Sequence, residues 1–323
     1  MRTKKNLLSN LLGKIQSLNN SFNTYFNYIG QREALCPVQH LIQANPSDRR
    51  KPNVEELFAK LGIRSLAINN LLNSFILPKS FSVQGERNEG EYRWLDYKIT
   101  SFIEDLKSVF RNCWVIAFSD WAIVNRASEL WQGLLFDVIK PLDRKDYNFI
   151  FHLGDPTKKP CYEVDEILDI ISDFSFHGQV TLILTEHEAT RLWMVLHDQN
   201  GVGVCTEIPR PAEKYRVIFE TMHISCLLIY TAEHATLITS QQQYEFAGRS
   251  IAGSEISNEA KDNFNAGYSL GLLLQLEMSQ CVALGLALSG AYLENRISPD
   301  RNELLSYIKR WIGELKPGNS IKN

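Results

Sequence analysis

The residue types that most often carry metal or nucleophilic chemistry are dispersed along this chain. The sequence holds seven histidines and six cysteines, with no C-x-x-C pair and no Cys/His cluster at the spacing of a zinc site. It also lacks a G-x-S-x-G nucleophile elbow and a P-loop. The chain therefore predicts neither a zinc centre nor an elbow-type hydrolase, and its thiols are expected to be free and mostly buried.

Two carboxylate-bearing segments offer a different chemistry. Asp262 lies in NEAKDNFNAG at the start of a helical pattern, and Glu188 lies in LILTEHEA just after an apolar run. A carboxylate so placed can take a proton from a hydroxyl group or help to hold a cation. Structural alternatives stay open for both residues. Asp262 would suit the N-cap of a helix beginning there, and Glu188 would suit the exposed first turn of a helix.

The segment from Ser257 to Pro299 resembles a known signature. SNEAKDNFNAGYSLG and the small-residue helix that follows are similar to the C-terminal T-G-A-G-D-x-F-x-A-G motif of the ribokinase-like (PfkB) carbohydrate kinases. Upstream, FHLGDP, LILTEHEA and CLLIYTAEHAT are similar to family segments in the same order. The resemblance covers residues 94–316 well and residues 1–90 poorly. The positions that fall on the signature are Asp262, Phe264, Asn265, Ala266 and Gly267.

The resemblance implies transfer of the ATP γ-phosphate to a sugar or nucleoside hydroxyl, with ATP and Mg²⁺ as cofactors. It implies that Asp262 is the catalytic base and that Glu188 contributes to the metal site. It also matches Asn53 to a sugar-contacting asparagine. The implied nucleotide- and phosphate-binding residues are Ala260, Lys261, Asn263 and Thr231.

The chain departs from the family at the positions that would bind phosphate. Residues 259–262 read Glu-Ala-Lys-Asp, so both loop glycines that let backbone amides converge on a phosphate are missing. Thr231 begins the sequence TAEHA instead of the family's T-x-G-x-x-G loop, and Thr185 replaces the asparagine of the N-x-x-E motif. ATP binding is therefore doubtful on sequence alone.

The motifs that contact the sugar in the family are also incomplete in this chain. Asp48 and Arg49 stand where the family has paired glycines before Asn53. The favoured interpretation of Asn53 is therefore a plain residue at a helix start. The stretch over residues 68–97 is short for the β-rich lid that the family inserts there, so the lid is expected to be reduced or absent. A missing lid would leave the site open to water, which weakens electrostatic catalysis.

Strand and helix patterns alternate after residue 94, which predicts βαβ units around a mainly parallel sheet. His152 lies at the end of one of these strands and is interpreted as a packed or rim residue rather than a catalyst. The predicted strands are residues 63–68, 113–118, 147–153, 180–184 and 226–230, with an antiparallel pair at 235–238 and 243–246. The predicted helices are residues 54–61, 97–110, 124–138, 163–174, 186–197, 211–222, 262–276 and 278–294.

We therefore predict a ribokinase-like, three-layer α/β/α domain. Residues 1–93 are expected to form a divergent N-terminal part of the domain, residues 94–316 the α/β core and residues 317–323 a C-terminal tail. The chain has 323 residues, is 44% hydrophobic and carries a formal charge of -3. This balance gives no basic field that would draw it to nucleic acid or to acidic membranes.

The sequence predicts a cytoplasmic protein without a membrane span. Residues 1–32 contain basic residues and no acid, with leucines at helical spacing, so an organelle transit peptide is the alternative to an ordinary first helix.

Three functions stay open. One is a degenerate kinase with weak or no ATP-dependent phosphotransfer, which acts by binding or scaffolding a protein partner or a second copy of itself, and another is a working small-molecule kinase. The third is an unrelated α/β protein whose last helices mimic the signature.

Overall fold

The computed structural model describes residues 4–16, 40–43, 60–61, 65–67, 93–118, 121–124, 126–198, 210–249 and 257–315. The strands are β1 (His40–Gln43), β2 (Ser65–Ala67), β3 (Val115–Phe118), β4 (Tyr147–Phe151), β5 (Gly178–Thr185), β6 (Cys226–Tyr230), β7 (His234–Ile238) and β8 (Gln243–Ala247). The first helix, α1, covers residues 4–16. The other helices are α2 (Trp94–Tyr97), α3 (Thr100–Arg111), α4 (Ala127–Gly133), α5 (Cys161–Asp173), α6 (Glu186–Asp198), α7 (Pro211–Thr221), α8 (Asn258–Leu273), α9 (Met278–Asn295) and α10 (Arg301–Glu314).

These strands form one sheet in the order β2-β1-β3-β4-β5-β6-β7-β8. All neighbours from β2 to β6 pair in parallel, and the last two pairings, β6 with β7 and β7 with β8, are antiparallel. The mainly parallel sheet and its antiparallel pair are therefore confirmed. The carboxyl ends of the parallel strands share one edge, where open α/β folds usually place their sites.

Helices cover both faces of the sheet, which confirms the three-layer architecture. Successive residues of a strand point to opposite faces, so Phe149 and Phe151 enter one core while Ile150 enters the other. The first core lies beneath α3 to α7 and contains a stacked pair, Phe118 and Phe151, with ring centroids 4.9 Å apart. The second core lies beneath α1, α8, α9 and α10.

Two helices on the second face approach each other closely enough to require glycine. A Cβ atom on Gly267 of α8 would lie 2.6 Å from the carbonyl oxygen of Leu284 and 2.8 Å from Cα of Gly285, both in α9. No side chain fits between backbones at that distance. The small residues of the Ser257–Pro299 segment therefore allow this close approach of the two helices.

The first helix is an integral part of the second core. Leu8 and Leu11 are fully buried, and the ammonium group of Lys4 lies 5.0 Å from the ring centroid of Trp311 in α10. Lys14 donates a hydrogen bond of 2.8 Å to Oε1 of Gln280 in α9. The N-terminal leucines at helical spacing thus pack against the last helices.

One predicted element needs correction. Helix α8 begins at Asn258, not at Asp262, and its N-cap is Ser257, whose hydroxyl accepts a hydrogen bond from the amide of Ala260. Asp262 lies inside the helix, so the N-cap interpretation of Asp262 is wrong. The polar residues 257–261 look like a loop in sequence, but serine is itself a strong N-cap and starts the helix one turn earlier.

Some predictions lie outside the described residues. These are the role of Asn53, the Asp48 and Arg49 departure, the reduced lid and most of the helix expected over residues 54–61. Three elements were not predicted at all, β1, the short helix α2 and α10. Among the described residues, the four cysteines are free, and three of them, Cys113, Cys226 and Cys281, are buried as expected.

Candidate functional site

The first turns of α6 and α8 meet at the carboxyl edge of the sheet. Helix α6 follows β5 directly, and α8 is linked to it through an ion pair between Lys261 and Glu188. Two segments that the sequence marked separately, LILTEHEA and NEAKDNFNAG, are therefore neighbours in space. This is the arrangement expected for a ribokinase-like site.

A capping box fixes Glu188 at the start of α6. Its Oε2 atom accepts a hydrogen bond of 2.8 Å from the backbone amide of Thr185, and the Thr185 hydroxyl accepts one of 3.2 Å from the backbone amide of Glu188. A threonine at the N-cap with a glutamate three residues later satisfies two helix-end amides at once. Thr185, which replaces the family's asparagine, thus has a structural role.

The second carboxylate oxygen of Glu188 is also occupied. Oε1 accepts from the ammonium group of Lys261, and the two side chains are only 9% and 14% exposed, respectively. Both oxygens that could reach a metal ion therefore already have partners within the protein. The prediction that Glu188 is an exposed first-turn residue is wrong, because Lys261 and the cap bury it.

His152 lies buried at the same edge, directly after β4. It is 3% exposed, and neither ring nitrogen has a hydrogen-bond partner among the described residues. Burial and, secondarily, the positive charge of Lys261 lower the pKa of His152 to about 3, because both disfavour the imidazolium form. The interpretation of His152 as a packed residue is confirmed.

Two backbone amides near the start of α8 are bonded to the N-cap residue. The amide of Ala260 donates to the Ser257 hydroxyl at 3.2 Å, and the amide of Lys261 donates to the Ser257 carbonyl oxygen at 3.1 Å. Asn263 is 1% exposed, and its amide group donates to the Glu259 carbonyl oxygen at 2.8 Å and to the Ser298 hydroxyl at 3.0 Å. Three of the residues matched to phosphate binding therefore hold the helix together.

Asp262 is half-buried and lies in the second turn of α8. Of the residues that the resemblance assigned to the kinase site, it is the carboxylate that keeps some access to solvent. The structure places it one residue from Lys261, on the helix that meets Glu188.

The turn between β6 and β7 is tight and internally bonded. Thr231 donates its amide to the carbonyl oxygen of His234 at 2.7 Å, and its hydroxyl accepts from the amides of Glu233 and His234 at 3.3 and 3.0 Å. A threonine hydroxyl that satisfies neighbouring amides in this way forms an ST turn. In this turn the amides of Glu233 and His234 are directed to Thr231.

A second group of polar side chains joins α6 to the turn that follows β4. The guanidinium of Arg191 lies 3.6 Å from the Asp155 carboxylate and donates to Thr157 at 2.9 Å and to His187 at 3.1 Å. Burial disfavours ionisation of Asp155, but hydrogen bonds from Thr157 and the charge of Arg191 outweigh it and lower the pKa of that carboxyl. Asp155 of the FHLGDP segment therefore stabilises a turn.

The described residues do not fit ATP and Mg²⁺ as the family would hold them. The carboxylate oxygens of Glu188, the amides of Ala260 and Lys261 in α8 and the amides beside Thr231 all have partners within the protein. Among the described residues, no group of three or more histidine, cysteine or carboxylate side chains could hold a metal ion. The sequence indicated the missing glycines, but it did not predict that Lys261 would pair with Glu188.

Comparison with solved structures identifies the fold. Adenosine kinase from Sinorhizobium meliloti matches over 88% of this chain and 93% of that chain, with 11% identity and a TM-score of 0.53. A putative ribokinase II from E. coli matches over 85% of this chain and 100% of that chain, with 10% identity and a TM-score of 0.54. This chain has the ribokinase-like fold, and the alternative of an unrelated α/β protein is wrong.

Some solved structures match over a smaller part of the chain. Arabidopsis thaliana ribokinase, solved with ribose and ATP, matches over 64% of this chain and 59% of that chain, with 15% identity and a TM-score of 0.45. The chain thus spans less than two thirds of the length of that structure. No protein-family model matches the sequence, and no curated protein matches it.

No helix in the described parts of the chain is both long and apolar enough to cross a bilayer.

Proposed function

We propose that this protein is a degenerate ribokinase-like kinase that has kept the fold, has little or no ATP-dependent phosphotransfer, and acts by binding a partner. The observation that carries the proposal is the ion pair between Lys261 and Glu188. An ammonium group beside Glu188 neutralises the charge that would attract a divalent cation. Breaking a buried pair of this kind leaves an uncompensated charge, which is strongly unfavourable.

Two further features support this function. Phosphoryl transfer depends on amide donors already oriented towards the transferring phosphate, and the amides of Ala260 and Lys261 are directed to Ser257 instead. The turn that begins at Thr231 likewise directs its amides to the threonine hydroxyl. A nucleotide would have to displace three sets of internal hydrogen bonds in order to bind.

The second candidate is an active small-molecule kinase that phosphorylates a sugar or nucleoside hydroxyl. It is favoured by Asp262, which keeps its place in the signature and remains partly accessible. In this function Asp262 would take the proton from the acceptor hydroxyl. ATP and Mg²⁺ would be required only by this candidate.

A nucleotide titration separates the two functions. Thermal unfolding is followed with increasing ATP, first without and then with Mg²⁺, in the full chain and in Asp262→Asn. We expect no saturable rise in the unfolding temperature. A ligand at 100 times its Kd would stabilise the folded state by about 2.7 kcal/mol, so binding would be visible. A saturable rise, with sugar- or nucleoside-dependent ATP turnover that Asp262→Asn removes, would establish the active kinase instead.

The proposal includes a cytoplasmic location and a protein partner or a second copy as the binding target. Its supports are the lack of a basic field, which argues against nucleic acid and membrane surfaces, and the free buried thiols of Cys113, Cys226 and Cys281. Fluorescent tagging at the C-terminus would locate the protein, and an organelle pattern would contradict the cytoplasmic location.

A further inference from the structure

An open cleft of about 450 Å³ lies between the first turns of α4 and α5. None of its lining residues is one of those that the resemblance assigns to the kinase-like site. Trp121 is one of its lining residues. Its indole N–H donates to the Ser128 hydroxyl at 2.9 Å, and the ammonium group of Lys159 lies 5.7 Å from its ring centroid.

The side chains that line the cleft carry an excess of negative charge. Arg126 lies 3.0 Å from Glu129, and Lys159 lies 3.5 Å from Glu163, so both cations already have carboxylate partners. Glu166 also lines the cleft, is exposed, and has no ion-pair partner among the residues that the structure describes. Helix α5, CYEVDEILDIISD, carries five carboxylates and no lysine or arginine. A cationic side chain is therefore the complementary charge.

One large, exposed aromatic side chain lines the same cleft, and two exposed aliphatic residues lie next to it in sequence or through a hydrogen bond. Tyr162 lines it and is 70% exposed, and Ile123, two residues after Trp121, is 52% exposed. Leu95 is 73% exposed and follows a residue whose backbone amide donates to Glu129 at 2.8 Å. Exposed aromatic and aliphatic side chains around a polar groove are typical of protein interfaces rather than of a solvated surface.

We propose that the cleft between α4 and α5 is a docking surface for a basic amphipathic segment of a partner protein. The apolar side chains of the segment would pack on Tyr162, Ile123 and Leu95, and a lysine or arginine would pair with Glu166. An open cleft between two helices can receive an amphipathic segment laid along it, as in helix-in-groove recognition. This inference rests on the binding role proposed above and names the surface and the chemistry of the partner.

The test is selection of random peptides displayed on phage against the immobilised full chain. We expect the selected peptides to share apolar residues around a lysine or arginine. The consensus peptide is then synthesised, and its Kd is measured by fluorescence polarisation. Tyr162→Ala and Glu166→Lys should each weaken binding on the order of tenfold or more, and added salt should weaken the charged contact.

Two variants at other exposed positions serve as matched controls. Phe176 is 73% exposed, close to the 70% of Tyr162, so Phe176→Ala controls for loss of an exposed aromatic ring. Asp105 is exposed on α3, so Asp105→Lys controls for the charge reversal at Glu166. Both controls should bind the consensus peptide like the unmodified chain.

Three outcomes would overturn the proposal. They are a selection without a basic-apolar consensus, a consensus peptide that binds both cleft variants normally, and a dimer that Tyr162→Ala dissociates, which would make a second copy the occupant. The nucleotide titration does not involve this cleft. Failure of the docking surface and failure of the degenerate-kinase function are therefore distinguishable.

Discussion

The ammonium group of Lys261 pairs with the carboxylate of Glu188 across the first turns of α8 and α6. The pair joins two helices that pack on opposite faces of the sheet, at the edge where the parallel strands end. Because Glu188 also accepts from the Thr185 amide, this one carboxylate holds a helix cap and an ion pair together.

Removing the charge of Glu188 is expected to destabilise the fold. Glu188→Gln leaves the Lys261 ammonium group, which is 14% exposed, without its counter-ion, and should reduce the free energy of unfolding by about 3 kcal/mol. Urea denaturation measures this change. The double variant with Lys261→Met should lose less than the sum of the two single variants, because the interaction is removed from both sides.

The matched control for this pair is Glu220→Gln. Glu220 pairs with Arg216 at 2.7 Å, but both side chains are more than half exposed, at 57% and 76%. Solvent screens such a pair, so the control should leave the free energy of unfolding nearly unchanged. Equal effects of Glu188→Gln and Glu220→Gln would contradict a buried, structural role for the Glu188 carboxylate.

Acid sensitivity is expected from His152. Its pKa is about 3 in the folded protein and about 6.5 in the unfolded chain. Between these values the unfolded chain binds a proton that the folded protein does not, so the stabilising contribution of the neutral imidazole is complete above pH 6.5 and is lost as the pH falls. The expected slope is about 1.4 kcal/mol per pH unit.

The measurement is the free energy of unfolding from pH 7 down to about pH 5, above the range in which most carboxylates titrate. His152→Asn should flatten the slope, and the exposed His223→Asn should leave it in place. A slope that persists in His152→Asn would mean that another group carries the pH dependence.

Ser257 should contribute to stability as the cap of α8. Ser257→Ala removes the hydroxyl that accepts from the Ala260 amide and should reduce the free energy of unfolding by about 1 kcal/mol. Ser257→Asp should restore it, since aspartate caps equally well. A neutral Ser257→Ala would show that the helix does not begin here, and the N-cap position would have to be sought again near Asp262.

Gly267 should tolerate no side chain. A Cβ atom would lie 2.6 Å from the Leu284 carbonyl oxygen, in the backbone of α9, so Gly267→Ala should reduce the free energy of unfolding by about 3 kcal/mol. Gly313 in α10 is the control, because nothing lies within 4 Å of its Cβ position. Gly313→Ala should be neutral or stabilising by up to about 1 kcal/mol, since alanine favours a helix. If the two substitutions had the same effect, close packing would not explain Gly267.

Most of the fold from residue 94 onward could be predicted because its strands are continuous apolar runs between helical patterns. The run CLLIY, for example, gave β6 with both ends at the observed residues, Cys226 and Tyr230. The chain offered no comparable run for β1, HLIQ, which is short and partly polar. Helix α10 did carry a signal that was missed, the capping box formed by Asp300 and Glu303.

The sequence predicts which family residues the candidate site lacks, but it does not predict the contacts that the site makes. Missing glycines at residues 259–262 can be seen in the sequence. The pairing of Lys261 with Glu188 cannot, because it joins two helices through tertiary packing. The same reason explains the error at Asp262: a single polar residue, Ser257, moves the start of α8 by one turn, and local propensity does not distinguish the two starts.

The contact between Lys4 and Trp311 bears on how the protein is made. Helix α1 is synthesised before the groove that receives it, because β8, α9 and α10 all follow it in the chain. Its apolar face, which includes the buried Leu8 and Leu11, therefore has no native partner until those elements have been made. Docking of α1 is thus a late, long-range step in folding.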